Sequence, residues 1–308
     1  MRRKVLFLAG GTLLTLLLQL GAGSLGLAGI FLNLFVPLPA AYAFMREGKT
    51  VGGAVVLLCM AALVPLAGVV GAVGYLVQFG VGSFALPLLL RRGWAWDRAV
   101  AGALAVVMLV AAVSLGGFVA SRGLPVTTQV KQYVHKELDQ ALTLYQKDNV
   151  PKGQIQALRQ AATRTADFLV KAYPGLAVGL TGAMLLLVVL LLSRLSAGHY
   201  LMPGPSFHLW KAPEPLIWVL ILAGFGLVYA EGWPQIAALN LLTVLLPIYF
   251  LQGLAVVSFF FKKKGVSPLL RTLGFFLIAA LSPIPLIVTG VGVFDLWADF
   301  RKPRIKKT

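Results

Sequence analysis

Five neutral amides, Gln19, Asn33, Gln78, Asn240 and Gln252, sit inside apolar stretches of the chain. An unpaired amide in an apolar medium costs roughly 2–7 kcal/mol. Each is therefore expected to face other protein or a cavity, either in an interhelical hydrogen bond or in a pocket lined by neutral donors and acceptors. Three are the candidate ligand or polar-core residues: Asn33, Asn240 and Gln252. Asn33 precedes Pro37 and Pro39, which free backbone carbonyls that its amide could satisfy. Asn240, Thr243 and Pro247 fall on one face of a helix, whereas Gln252 points roughly 120° away at 3.6 residues per turn. The two amides are thus expected to serve different neighbours, on a helix kinked at Pro247. Gly253, next to Gln252, permits another backbone to come close.

Other chemistry is sparse. The chain has no Gly-rich phosphate loop, no H-E-x-x-H and no G-x-S-x-G. Its three histidines are His135, His199 and His208, with no carboxylate cluster near the latter two, short of the three or four ligands a zinc site needs. The single cysteine, Cys59, excludes an intrachain disulfide and a thiolate cage. The ten acids, Asp295 and Asp299 among them, avoid the middle of the apolar stretches, which argues against a mid-membrane proton relay and against paired-carboxylate hydrolysis. The expectation is a non-enzyme with no metal and no cofactor.

These residues must be positioned by membrane helices. Hydrophobic residues make up 59% of the 308 and charged ones 12%, about half the share of a soluble domain. A spanning helix needs about 20 apolar residues. Apolar stretches lie near 5–22, 25–45, 51–68, 69–90, 99–121, 174–194, 215–231, 235–261 and 268–293. The expected fold is an all-α polytopic membrane protein of eight to nine spans. The net charge of +17 comes from short basic runs between these stretches, so it reads as topology and anionic-lipid contact rather than nucleic-acid binding. Every second linker is basic, from Arg2, Arg3 and Lys4 to Lys262, Lys263 and Lys264, which places the N-terminus in the cytoplasm.

A long linker follows the fifth stretch. Apolar residues in it recur at three- and four-residue spacing on either side of "KDNVPKG", which predicts two amphipathic helices joined by a turn on the outer face. The chain divides into a five-span region over 1–122, an extracytoplasmic helical hairpin over 123–173, and a C-terminal membrane region with a basic tail over 174–308. The final stretch has two readings. Its length favours a crossing; Pro283, Pro285 and the basic ending favour a bent segment that returns to the cytoplasmic side.

Asn240, "LQG" at Leu251–Gly253 and "GVFDLWADFR" at Gly292–Arg301 resemble the YybS-like family of bacterial membrane proteins, as do "VPLP" before a basic turn and the long outer insert. The resemblance marks Gly253, Gly292, Asp295, Asp299 and Arg301 as family-motif residues, and implies an inner-membrane location without assigning an activity. The first six spans are distantly similar to the substrate-binding subunits of energy-coupling-factor transporters and to the rod-shape protein MreD. Those similarities imply binding or transport of a small or lipid-like solute, or alternatively a scaffold or assembly role with another membrane subunit as partner besides the bilayer itself. Asp295 and Asp299, four residues apart, are expected to share one face of a salt-bridged helix end.

Overall fold

The structure, a computed structural model, describes residues 2–25, 29–122, 128, 131–132, 152–195 and 202–302. The described elements are α1 (Arg2–Ser24), α2 (Gly29–Asn33), α3 (Leu38–Glu47), α4 (Lys49–Tyr75), a π-helical turn (Leu76–Gly80), α5 (Val81–Arg91), α6 (Trp96–Arg122), α7 (Lys152–Leu195), a 3-10 turn (Phe207–Leu209), α8 (Leu216–Tyr229), α9 (Trp233–Lys263), α10 (Pro268–Ala280) and α11 (Ile284–Ala298). No strand occurs among the described residues, so the all-α polytopic membrane class stands.

Among the described residues five helices are long and apolar enough to cross a membrane, or six if α10 and α11 count as one broken span. This is fewer than eight to nine, and local chemistry accounts for part of the difference. Stretch 25–45 is divided by Pro37 and Pro39 into α2 and α3, and the ten residues of α3 rise only about 15 Å. Stretch 215–231 forms the 14-residue α8, about 21 Å long against a hydrocarbon core of about 30 Å. Stretches 51–68 and 69–90 follow one another in a 43-residue apolar run, Lys49–Arg91, about 65 Å of helix and enough for two crossings of a core of about 30 Å. Gly68 breaks that run where the two stretches were divided: its φ of 72° is one that glycine reaches without penalty.

The first compact unit comprises Met1–Val126 and Leu180–Gly204. Its core joins Val36, Ala40 and Ala43 near α3 to Val55, Cys59 and Tyr75 of α4, while Leu86 and Leu90 of α5 pack with Ala99 and Ala103 of α6 and with Leu185, Val188 and Leu192 of α7.

The second compact unit comprises Thr127–Gly179 and Pro205–Thr308. Here α9 packs against α8, α11 and the 3-10 turn. It runs unbroken through Pro247. The predicted break at Pro283 and Pro285 is present: α10 and α11 meet at 103°. The first half of the predicted outer hairpin and its "KDNVPKG" turn lie outside the described residues, apart from the isolated positions above. Its second half is not a separate amphipathic helix. It opens α7, which continues through Pro174 for 44 residues.

Candidate functional site

The residues singled out near the C-terminus converge in the second unit. Glycine makes this possible. A Cβ on Gly253 would overlap the Val288 carbonyl, and one on Gly292 would overlap the Tyr249 carbonyl and the Gly253 nitrogen. The backbones of α9 and α11 therefore touch at this crossing, as small residues allow in membrane bundles. The approach lays Gln252 beside Asp295, both essentially unexposed.

From there a polar chain runs outward. Gln252 Nε2 donates to Asp295 Oδ2 at 3.1 Å, and Gln252 Oε1 accepts the Ala212 N–H at 3.1 Å. Arg301 Nη2 donates to the same Asp295 Oδ2. Arg301 Nη1 donates to the carbonyls of His208 at 3.2 Å and Trp210 at 2.9 Å. The segment 208–212 is thus held at three alternate residues by one ion pair and one amide. Asp295 Oδ1 and Arg301 Nε remain buried without a partner.

Asp295 and Asp299 do not act together. The α11 helix ends at Ala298, and Asp299 takes up the left-handed conformation, φ 40°. Its carboxylate turns to Lys302 at 2.9 Å and Lys211 at 3.1 Å. Those hydrogen bonds, Lys302's first, hold its pKa below the ordinary aspartate value. His208 Nε2 lies 3.4 Å from Lys262 Nζ. Partial desolvation, then the Lys262 and Arg301 charges, lower the His208 pKa. The network contains a buried ion pair and no nucleophile. Among the described residues no group of three or more His, Cys, Asp or Glu could hold a metal ion.

Asn240 belongs to a second polar contact. Its Oδ1 accepts the Gly175 N–H at 2.6 Å, and its Nδ2 donates to the Lys171 carbonyl at 2.9 Å and to the Ile236 carbonyl at 2.7 Å. Gly175 and Lys171 are an i, i−4 pair of α7 beside Pro174, so one side chain addresses both ends of a helical hydrogen-bond position. Asn240 and Gln252 do serve different neighbours.

Asn33 departs from its expected role. Its half-buried side chain has no hydrogen-bond partner among the described residues. The backbone before Pro37 is satisfied by its own tight turns, Phe35 N–H to the Leu32 carbonyl at 3.0 Å and Val36 N–H to the Asn33 carbonyl at 3.3 Å. Gln78 is exposed rather than turned inward. On α1, Thr12 Oγ1, Thr15 Oγ1 and Gln19 Oε1 are buried without partners, on the side where Cys59 Sγ approaches the Thr12 carbonyl at 3.7 Å.

A half-open apolar groove of about 310 Å3 lies in the first unit. Phe7, Gly10, Gly11 and Leu14 of α1 line it with Pro39 and Tyr42 of α3. Asn33, Asn240 and Gln252 do not. The amides carried the sequence reading, so it passed over this place. The available signal was Gly10-Gly11 in "LFLAGGTLL", a gap in side-chain cover on a helix otherwise full of Leu and Phe.

No curated protein and no solved structure matches the chain. A family model described as "Predicted membrane protein (DUF2232)" matches residues 13–296, which takes in Asn33, Asn240, Gln252, Gly253, Gly292 and Asp295. The chain, by that match over most of its length, belongs to the DUF2232 family of membrane proteins.

Proposed function

We propose that this protein is a non-enzymatic, multi-pass protein of the bacterial inner membrane that binds a lipid-like solute in the groove between α1 and α3. The carrying observation is the groove itself, about 310 Å3 with an apolar lining. Such a lining suits part of an acyl chain better than a polar metabolite, because a polar group left unpaired against it costs roughly 2–7 kcal/mol. The transporter-like reading favoured a polar pocket at the amides. Asn240 and Gln252 instead spend their hydrogen-bonding groups on protein, so the apolar half of that reading is the one kept. The basic linkers support a cytoplasmic N-terminus.

Gly10 provides the test, since a Cβ there meets nothing within 4 Å. Gly10→Leu fills the groove without straining the fold. Native mass spectrometry of gently extracted protein is expected to show retained lipid in the wild type and a several-fold smaller amount in the variant. Equal retention in both overturns the groove as the binding place. A stoichiometric retained protein in place of lipid supports the alternative, an assembly partner that docks another membrane subunit.

A further inference from the structure

Two guanidinium groups sit at one end of the groove, each over an aromatic residue that lines it. Arg3 lies 5.9 Å from the centroid of the Phe7 ring and Arg46 lies 5.3 Å from that of Tyr42. The two rings are themselves 5.9 Å apart. Arg46 Nε donates to the Tyr42 hydroxyl at 3.0 Å, which fixes its guanidinium at the rim. Arg3 Nε is paired with Glu47 Oε1 at 2.9 Å. A guanidinium carries five N–H donors, so both arginines keep Nη donors beyond these bonds. Arg3, Phe7, Gly10 and Leu14 follow one another at i, i+4, i+7 and i+11 along a single face of α1. The charged mouth is therefore continuous with the apolar floor.

Resting on the lipid-binding reading above, we propose that Arg3 and Arg46 form a headgroup site, and that the occupant is an anionic glycerophospholipid of the surrounding bilayer. Its phosphate sits between the two guanidiniums and one acyl chain lies along Gly10 and Gly11. Charge complementarity selects the anion. Among the described residues Arg3 is paired with one carboxylate, that of Glu47, and Arg46 with none, while Arg2, Lys4 and Lys49 add to the positive charge of the neighbouring sequence. Arginine offers a planar donor fork that matches phosphate oxygens. A zwitterionic lipid brings an ammonium of its own into this field and gains less.

The test uses full-length protein equilibrated with equal amounts of phosphatidylglycerol and phosphatidylethanolamine of identical acyl chains, with retained lipid read by native mass spectrometry. The wild type is expected to retain phosphatidylglycerol preferentially. Arg3→Gln and Arg46→Gln should each cut the preference about five-fold, the effect of one basic residue near an anionic surface. Arg46→Lys, which keeps the charge, should preserve most of it. Arg98→Gln, which removes an exposed charge from α6, should leave the preference unchanged. Equal retention of both lipids by the wild type overturns the headgroup site while leaving the groove standing. So does an Arg98→Gln effect as large as that of Arg46→Gln, which would assign the preference to general surface charge. A lipid total unaffected by Gly10→Leu overturns the groove and this inference together.

Discussion

Replacing Arg301 by methionine isolates what the buried ion pair contributes. The guanidinium side chain is 5% exposed and its partner carboxylate 0%. Removing it leaves Asp295 sharing one oxygen with Gln252 alone, and leaves the His208 and Trp210 carbonyls without the donor they now share. Breaking one side of a buried pair costs about 3–5 kcal/mol. At about 2–4 °C per kcal/mol for a unit of this size, the apparent Tm in detergent should fall by roughly 6–20 °C. Asp295→Leu should be at least as damaging, because a lone buried carboxylate can take up a proton whereas arginine has no such escape. The double variant Asp295→Leu/Arg301→Met removes both charges and fills the space with hydrocarbon. Such replacements are often close to neutral, so it should lose much less than the sum of the single changes, with a coupling of about 2 kcal/mol or more. The assay is thermal unfolding followed by fluorescence-detected size exclusion across the four proteins. Single variants within about 2 °C of wild type, or effects that simply add, refute the assignment of this pair as the clamp on segment 208–212.

Asn240→Leu strands the Gly175 N–H and the Lys171 carbonyl and should cost about 1–3 kcal/mol, whereas Leu241→Ala, at an exposed position, should cost less; equal Tm values for the two sink the bridging role. Gly253→Ala and Gly292→Ala should each prevent the normal approach of α9 and α11 and sharply lower the yield of folded protein, while Gly290→Ala, with nothing within 4 Å of its Cβ, should be silent. His208 titrates below the usual histidine range in the folded chain, so the unfolded chain takes the proton first as pH falls through about 6.5. Stability should accordingly be full above that pH and decline below it, and His208→Gln should remove this component of the pH profile. Asp299, held below its ordinary value, contributes stability that is present above about pH 4 and lost as the carboxylate protonates.

The membrane class was readable because long apolar runs leave few alternatives. The spacing of Asn240 and Gln252 around α9 also carried over, since a regular helix fixes which residues share a face. At Pro283 the helices α10 and α11 part, whereas at Pro247 the helix continues. The difference lies in tertiary contact and in number: Pro247 is alone in a helix packed on two sides, whereas Pro283 and Pro285 come as a pair on an exposed segment. The contact between Gln252 and Asp295 was not legible, although both were singled out, because it depends on two glycines 39 positions apart meeting backbone to backbone. The groove escaped for a related reason. It is defined by absent side chains at Gly10 and Gly11, and hydropathy does not register an absence.

The polar clamp also has a direction in time. Ala212 leaves the ribosome before Gln252, while Asp295 and Arg301 follow some forty to fifty residues later. At about 5–20 residues per second, Gln252 emerges several seconds before its carboxylate partner does. During that interval its Nε2 has only water, lipid headgroups or the insertion machinery to turn to. The bond from Ala212 can form first, but segment 208–212 stays loosely held until Arg301 arrives and closes on its carbonyls. Residues 295–301 therefore act as the last fastening of the second unit. A nascent chain halted before them would carry the Gln252 amide with its Nε2 unmet.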